Sequence, residues 1–467
     1  MKRIVLVVGL VLMISSALGA KPWVLVSSSD FGHYYVLDLG TWPVSVLGFF
    51  NISLIVGLLD VEPYPNNCYA LFSTHDAGAV VRIDITDPNH PIESSSLDLS
   101  GRAFAPLDIA IPKEGGFAVV GEGSNMNRIV FIDLTDPDFK TYSIYHLKTD
   151  GAAAEAVAVT PDGQTVIICD SWHNRIIYGQ VNESKSGLVS ENTLSTQFLP
   201  INVSISPDGR TALVVNFFSQ SFSVLRIDGP GAVVPGSPSS LLVWTYPQSI
   251  AFSPDGSRAY IYSTSYSSWP DRLSCYSVIA PGQVNPHITL VDLMSKSGAA
   301  YFGVDLLAVS LDGMLAIAGG WLDPGGLSQV LLDSYDVSLI PLKSYEHPRG
   351  LAVFDEALGY PPAEPTCTRL VNDFIFYKEY VNRLTWSVNP NNLGAPVTVR
   401  IYRKNLGEPD SEFQLLQEFD QSLASYDDRG LRKDQNFVYR FTSVLRTGKE
   451  SLPTDLETNF GGLMFKK

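Results

Sequence analysis

Short apolar runs with alternating polar positions recur along most of the chain, and one kind of turn separates them. The clearest turns contain Pro-Asp-Gly, at residues 161–163, 207–209 and 254–256. Each follows a run such as AVAVT and precedes a run such as TVIIC. Alternation with a period of two predicts half-buried strands, and Pro-Asp-Gly predicts a tight turn between them. The pattern therefore predicts a succession of β-hairpins.

These turns return at a nearly constant spacing. Asp162, Asp208 and Asp255 are 46 and 47 positions apart. Looser versions of the turn extend the series to Asn66, Glu114, Asp312 and Glu356. Within residues 154–195, four strand-like runs follow one another without any segment of helical period. Because a unit of this size cannot bury its own apolar faces, the units must stack on one another. We expect seven four-stranded antiparallel sheets.

The two ends of the repeat region complement each other. Residues 23–39 look like the second and third strands of a unit, whereas Arg349 to Phe354 look like a first strand without partners. Pairing these segments completes the seventh sheet, closes the ring and removes exposed strand edges. The predicted fold is all-β, with a seven-bladed β-propeller over residues 21–360 that is closed by its N- and C-terminal strands.

Two of the repeats carry a family resemblance. The segments SPDGRTALVVNFFSQSFSVLRID and TPDGQTVIICDSWHNRIIYGQV resemble the YVTN-type repeats of seven-bladed β-propellers, a group that overlaps the lactonase-like propellers. In two units GEGSNMN and GGWLDPGGLS replace the YVTN-like stretch. The resemblance covers residues 21–360 and implies the fold. It does not imply a reaction, because propellers include enzymes, binding proteins and scaffolds.

The pattern changes after the repeats. Residues 361–365 (PPAEP) predict a stiff linker, and residues 366–460 predict a small β-sandwich of turn-punctuated strands. The segments LTWSVNP, VRIYRK and NFVYRFTSVL, with Trp386, Tyr402 and Tyr439, resemble a fibronectin type III domain. The resemblance implies that these rings are core residues and that the module spaces or attaches other domains.

Residues 1–20 have the pattern of a secretory signal. Lys2 and Arg3 precede the apolar stretch from Ile4 to Ile14, and small residues follow it. The alternative is an uncleaved N-terminal anchor. We expect an exported protein, located in the periplasm, outside the cell or at the cell surface, with no integral membrane segment after signal cleavage.

Charge and cysteine content narrow the classes of partner. The formal net charge is −16, which disfavours nucleic acid and anionic membranes as partners because neither attracts an acidic protein. The four cysteines form no CxxC motif, so neither a zinc knuckle nor a thioredoxin-like site is predicted. Cys169 and Cys275 lie within strand-like runs, which favours buried free thiols over disulfides.

When the units are aligned on the turn, a polar residue opens each predicted first strand. These residues are Asp60, Asp108, Glu155, Asn202, Gln248, Asp305 and Arg349. In the resembled propellers this position lies at the mouth of the central channel. One hypothesis is a polar pocket for a hydrated cation or a hydroxylated ligand, with oxygen ligands that suit Ca²⁺ or Mg²⁺. The alternative is that these groups bind adjacent backbone and channel water.

The predicted loops between second and third strands contain unusually large rings and two histidines. We assign to this candidate rim His75, Trp172, His173, Phe217, Phe218, Tyr266, Trp269 and Trp321. Exposed aromatic rings around a polar hollow would suit a protein, peptide or glycan ligand. The alternative is that the rings pack between neighbouring units.

No established catalytic motif is present: the chain lacks GxSxG, HExxH, GxxxxGK[ST] and GxGxxG. The first hypothesis is therefore a non-enzymatic exported propeller that binds a protein, peptide or glycan through its loop face, without a required cofactor. The second is a metal-assisted hydrolase of the lactonase type, in which His173 or Glu155 relays protons. The third is a structural spacer in an envelope assembly.

Overall fold

A computed structural model describes most of the chain. The described residues are 22–28, 32–53, 57–102, 104–123, 126–243, 245–265, 270–293, 306–320, 326–342, 348–357, 359–395 and 397–458. The predicted signal segment lies outside them. The chain divides into two compact units, Met1–Glu356 and Ala357–Lys467. Within the described residues, no helix combines the length and the apolar character that crossing a bilayer requires.

The first unit consists of four-stranded antiparallel sheets, here called blades and numbered along the chain. Blade 1 contains β4 (Val61–Pro63), β5 (Tyr69–Thr74), β6 (Ala79–Asp84) and β7 (Ile92–Asp98). Blade 2 contains β8 (Pro106–Ala110), β9 (Phe117–Glu122), β10 (Arg128–Asp133) and β11 (Tyr142–His146). Blade 3 contains β12 (Ala154–Val159), β13 (Thr165–Asp170), β14 (Arg175–Gln180) and β15 (Asn192–Ser195).

The next three blades have the same strand order. Blade 4 contains β16 (Pro200–Ile205), β17 (Thr211–Asn216), β18 (Ser221–Gly229) and β19 (Ala232–Leu242). Blade 5 contains β20 (Tyr246–Phe252), β21 (Arg258–Thr264), β22 (Arg272–Ala280) and β23 (Gln283–Asp292). Blade 6 contains β24 (Leu307–Val309), β25 (Leu315–Gly320), β26 (Gly326–Leu331) and β27 (Val337–Pro341). A single bridge between Ser237 and Gln283 joins the outer strands of blades 4 and 5.

Blade 7 combines the two ends of the unit. It contains β28 (Pro348–Phe354), β1 (Trp23–Ser28), β2 (His33–Asp38) and β3 (Ser45–Asn51). The segment Arg349 to Phe354 lies in β28, which pairs antiparallel with β1 through contacts such as Leu25 with Ala352. The innermost strands β28, β4, β8, β12, β16, β20 and β24 contact one another in succession, and β24 contacts β28. The propeller is therefore a closed ring of seven blades.

The repeated turn is held by its own side chains, as the turn between β20 and β21 illustrates. The Ser253 hydroxyl donates to Asp255 Oδ1 at 2.5 Å and accepts the Arg258 backbone N–H at 2.9 Å. Asp255 Oδ1 also accepts the Ser257 N–H at 3.0 Å. The hydrogen bond from Ser253 is the largest contribution that lowers the pKa of Asp255 to about 2. Gly256 supplies the positive φ of 70° that ends the turn. Glu356 instead follows β28, where the chain leaves the blade.

The hydrophobic core of the propeller lies in layers between neighbouring blades. In β1, Val24 and Val26 pack with blade 6 residues such as Ile317, whereas Leu25 packs with blade 1 residues such as Phe72. Successive side chains of a strand point to opposite faces, so each second strand must be apolar on both. Because a blade is covered only when it has a neighbour on each side, stacking and ring closure are required for burial.

The second unit is a β-sandwich. One sheet has the order β29 (Ala363–Asp373), β30 (Lys378–Ser387) and β33 (Ser425–Leu431). The other has the order β32 (Gln414–Asp420), β31 (Thr398–Asn405), β34 (Phe437–Val444) and β35 (Thr454–Glu457). The fold class is thus all-β, a seven-bladed β-propeller followed by a β-sandwich, as the sequence predicted.

The core of the sandwich contains Trp386 and Tyr439, together with Leu384, Ile401 and Phe441. The predicted core position of Tyr402 is corrected. Its ring is only partly buried, and its hydroxyl donates to Glu450 at 2.7 Å. β29 begins at Ala363, so part of the segment predicted as a linker pairs within the sandwich.

Candidate functional site

Three of the seven predicted mouth residues fasten one blade to the next. Asp60 Oδ2 accepts the Ile109 backbone N–H at 2.9 Å, and Asp108 Oδ2 accepts the Val157 N–H at 2.6 Å. Asn202 Oδ1 accepts the Ile250 N–H at 3.1 Å. All three side chains are buried. Each of these three residues thus satisfies a donor on the first strand of the following blade, which gives it a structural role.

The other predicted mouth residues are placed differently. Gln248 is buried and its amide donates to Thr264 Oγ1 at 3.3 Å, within blade 5. Arg349 is partly buried on β28. Asp305 lies outside the described residues. The structure therefore brings acidic and amide groups to the end at which the innermost strands begin, which we call the mouth end.

Glu155 departs from the inter-blade pattern. Its Oε2 accepts from the Ser171 hydroxyl of its own blade at 3.2 Å. The carboxyl group is buried, and Gly123 of blade 2 lies beside it, since a Cβ on Gly123 would be 3.5 Å from Oε2. Burial raises the pKa of Glu155 to about 7, although the Ser171 hydrogen bond and the charge of His75 act in the opposite direction. Near neutral pH this carboxyl group can both donate and accept a proton.

A second polar cluster lies beside Glu155 on the loop that follows β13. Ser171, Trp172 and His173 form a short 3₁₀ turn. Asp170, fully buried at the end of β13, contacts His173 Nδ1 at 3.0 Å and accepts from Arg175 Nε at 2.7 Å. A carboxylate on Nδ1 fixes the orientation of an imidazole and leaves Nε2 as its second nitrogen. Blade 3 therefore contains a buried serine–glutamate pair and, on the same loop as the serine, a histidine oriented by Asp170.

Sequence reasoning named His173 and Glu155 but missed Asp170, Ser171 and Gly123. The signal for Asp170 was available, because an acidic residue ends an otherwise apolar strand directly before the loop SWHN. The signal for Gly123 was not, since its contact with Glu155 joins different blades.

The predicted rim is partly exposed and partly packed. Trp172 is 67% exposed and Phe218 is more than half exposed. His75 and His173 are also accessible. The predicted position of Phe217 on the exposed rim is corrected. Phe217 is only 3% exposed and packs against Tyr246, with ring centroids 5.1 Å apart, so it belongs to the core. Tyr266, Trp269 and Trp321 lie outside the described residues.

Further exposed apolar side chains lie at the same end of the propeller as Trp172. Phe198 precedes β16 and stacks on Phe218, with ring centroids 5.5 Å apart and the ring planes at 24°. Leu242 ends β19. We call the exposed set on blades 2 to 4 the mouth arc, consisting of Met126, Trp172, Phe198, Phe218 and Leu242.

Among the described residues, no group of three or more His, Cys, Asp or Glu side chains is arranged to hold a metal ion. The four cysteines, all within the described ranges, are free thiols. A cavity of about 380 Å³ lies at the opposite end, near the turns of blade 2, and Phe117, Phe131 and Lys185 are among its lining residues. That cavity does not include any predicted site residue.

Solved structures share this fold at low sequence identity. A functionally unknown protein from Desulfotomaculum acetoxidans has a TM-score of 0.59 at 15% identity, over 71% of this chain and 98% of that one. The periplasmic gluconolactonase of Pseudomonas aeruginosa has a TM-score of 0.58 at 13% identity, over 71% and 99%. A putative 6-phosphogluconolactonase from Bacteroides fragilis has a TM-score of 0.56 at 11% identity, over 72% and 98%.

No protein-family model matches the chain, and no curated protein matches it in sequence. At these identities the structural neighbours establish the propeller fold and leave the activity open.

Proposed function

We propose that this chain is an exported binding protein whose propeller engages a protein, peptide or glycan ligand through the mouth arc. The observation that supports the proposal most is the set of five exposed apolar side chains at the mouth end of three consecutive blades, two of which, Phe198 and Phe218, stack on each other. Exposed large apolar groups that are contiguous and surrounded by polar residues are typical of interaction sites.

The chemistry of the arc suits recognition by ring stacking. Trp172 is carried on a 3₁₀ turn whose last residue, His173, contacts Asp170, and the left-handed conformation of Asn174 closes the turn. Phe198 and Phe218 form a stacked pair, and the Ser219 hydroxyl accepts the Phe198 backbone N–H at 2.7 Å. The stacked rings of Phe198 and Phe218 lose little conformational freedom when a ligand binds, which favours affinity.

The experiment measures binding to glycan and peptide arrays by the chain without residues 1–20. Trp172→Ala and Phe218→Ala should each abolish binding to the ligand found. Ile279→Ala is the matched control, because Ile279 is 64% exposed but lies at the opposite end of blade 5. Equal loss of binding in all three variants, or retention in all three, would refute the mouth arc as the binding surface.

A second candidate, a hydrolase, is favoured by the group around Glu155. A lactone ring opens when water attacks its carbonyl, which requires a base for the water and an acid for the leaving oxygen. Glu155, with a pKa of about 7, and His173, held by Asp170, have suitable chemistry for these roles. The similarity in fold to gluconolactonases is consistent with this candidate.

The hydrolase candidate is tested with a panel of sugar lactones, including gluconolactone, against the spontaneous rate. Glu155→Gln should remove activity, whereas Asp108→Asn, on the neighbouring blade, should retain it. Calorimetric titration with Ca²⁺ and Mg²⁺ tests the metal-assisted version. Absence of hydrolysis above the spontaneous rate for every lactone would eliminate this candidate and leave the binding proposal intact.

We also propose that the second unit is a fibronectin type III-like spacer and that the chain is exported. The three-stranded and four-stranded sheets around a buried Trp and Tyr support the first proposal. The charged, apolar and small-residue segments of residues 1–20 support the second. Cell fractionation of a strain that expresses the full chain tests export, since a cytoplasmic, uncleaved product would contradict it.

A further inference from the structure

The β29–β30 hairpin of the sandwich ends in four consecutive large apolar residues. Phe374, Ile375, Phe376 and Tyr377 form this apolar tip. Ile375 is 93% exposed and Phe376 is 94% exposed. Phe374 and Tyr377, which flank them in the chain, stack on each other with ring centroids 4.7 Å apart. The described part of the sandwich places no other residue over the turn positions, so their apolar surface is open to solvent.

This turn departs from the usual chemistry of a two-residue hairpin. Asp373 pairs with Lys378, and the Phe374 N–H donates to the Tyr377 carbonyl at 2.9 Å. Ile375 and Phe376 therefore occupy the two central positions, where Asn, Asp and Gly are favoured. Neither residue has a positive φ. A polar, flexible pair would form the turn more readily. The presence of two large apolar residues at these positions therefore indicates a contact outside the unit.

We propose that the apolar tip inserts into the surface of a lipid bilayer of neutral net charge. The tip is convex and, by the usual area of such side chains, offers roughly 500 Å² of surface. That is well below the roughly 800 Å² that each partner buries in a stable protein complex. A bilayer interface accepts a small convex apolar feature without needing a shaped partner, and aromatic rings are enriched there.

The charges near the tip and on the whole chain favour a neutral lipid surface over an anionic one. At the base of the tip, Lys378 Nζ lies 3.0 Å from Asp373 Oδ2, so these two charges cancel. The whole chain carries a formal charge of −16, which opposes an anionic membrane. The tip therefore binds zwitterionic lipid by its apolar surface. This inference is independent of the proposed ligand at the mouth arc.

The experiment is flotation of the chain without residues 1–20 on phosphatidylcholine vesicles. The wild-type protein should float, and Ile375→Ser with Phe376→Ser should lower the bound fraction at least tenfold. Leu452→Ser, at a position of the same unit that is 83% exposed, should stay within twofold of wild type. Vesicles containing phosphatidylserine should bind no more strongly than neutral ones.

A second variant keeps the tip apolar. Phe376→Trp should float like the wild type, and brominated lipid should quench its added fluorescence beyond the wild-type background. The proposal is overturned if the wild type does not float, or if Leu452→Ser loses binding as fully as the tip variant. It is also overturned if sedimentation shows tip-dependent self-association without vesicle binding, because the occupant would then be a second copy.

Discussion

The side-chain hydrogen bonds at the two ends of the propeller differ in how regularly they recur from blade to blade. At the turn end, a hydroxyl, an aspartate and a glycine recur with almost identical hydrogen bonds, as in Ser206 with Asp208 and Ser253 with Asp255. At the mouth end, the predicted polar residues differ in type, in strand register and in what they contact. Asp108 fastens blade 2 to blade 3, whereas Glu155 binds a hydroxyl of its own loop.

This difference separates residues that the fold requires from residues that are available for a function. A turn that repeats in sequence and geometry answers a requirement common to every blade. A polar residue that makes no inter-blade contact, such as Glu155, does not meet that requirement, and local rules are most often broken at functional sites. Glu155, Trp172 and the mouth arc all lie on blades 2 to 4, which places the candidate function on one side of the mouth end.

Removing the closure should have the largest effect, because both ends of the propeller depend on an unbroken ring. Deletion of residues 22–40 removes β1 and β2, exposing apolar faces on blades 1 and 6. We expect loss of the cooperative unfolding transition, measured by circular dichroism, and loss of hydrogen-exchange protection in all blades. Loss of protection confined to blade 7, with a sharp transition elsewhere, would show that the ring does not need its closure.

At the mouth end, Asp108→Ala should destabilise the protein by about 1–3 kcal/mol, because it leaves the buried Val157 N–H without its acceptor. The measurement is denaturant unfolding. Asp108→Asn is the conservative control, since its amide oxygen can still accept that hydrogen bond. An unchanged free energy of unfolding in the alanine variant would mean that the residue has no inter-blade role.

At the turn end, Gly256→Ala should cost about 1–2 kcal/mol, because an L-residue is strained at a φ of 70°. A Cβ there would also lie 3.4 Å from Cδ of Pro207 in the preceding turn. Gly229→Ala is the matched control, since a Cβ at that position meets no atom within 4 Å. The same unfolding experiment compares them. Equal stability of the two variants would contradict the account of the repeated turn.

The smallest stability effect is expected on the mouth arc. Trp172→Ala should change the free energy of unfolding by less than about 0.5 kcal/mol, because the ring is 67% exposed. Its effect should appear in ligand binding alone. A loss of stability as large as that of Asp108→Ala would identify Trp172 as a packing residue.

The fold could be predicted from the sequence because its strands and units produce periodic sequence patterns. Alternation predicts strands, and the Pro-Asp-Gly spacing predicts the units. The unpaired run from Arg349 to Phe354 predicts a partner at the other end of the unit, and β28 does pair with β1 there. Each of these signals depends on local residues whose neighbours in space follow from the repeat.

The site was less accessible because its contacts depend on strand register and on neighbouring blades. Ile109 and Val157 are equivalent, since each lies opposite the residue two positions before the end of its second strand, so Asp108 is equivalent to Ala156. Glu155 lies one position earlier, at the bulge of β12, and contacts a different partner. Phe217 and Phe218 are adjacent in the same loop, but one is buried and the other exposed. In a loop, where the alternation of a strand no longer applies, the sequence does not indicate which side chain is buried and which is exposed.

The most direct test is the pH dependence of unfolding for the wild type and Glu155→Gln. The folded-state pKa of about 7 lies above the unfolded value of 4.5, so folding takes up a proton between these values. The wild type should therefore lose stability relative to the variant as the pH rises from 4.5 to 7, by about 3 kcal/mol in total. The difference should then stay constant at higher pH. Parallel stability curves across this range would contradict the claim that Glu155 is a buried, protonatable exception among the mouth residues.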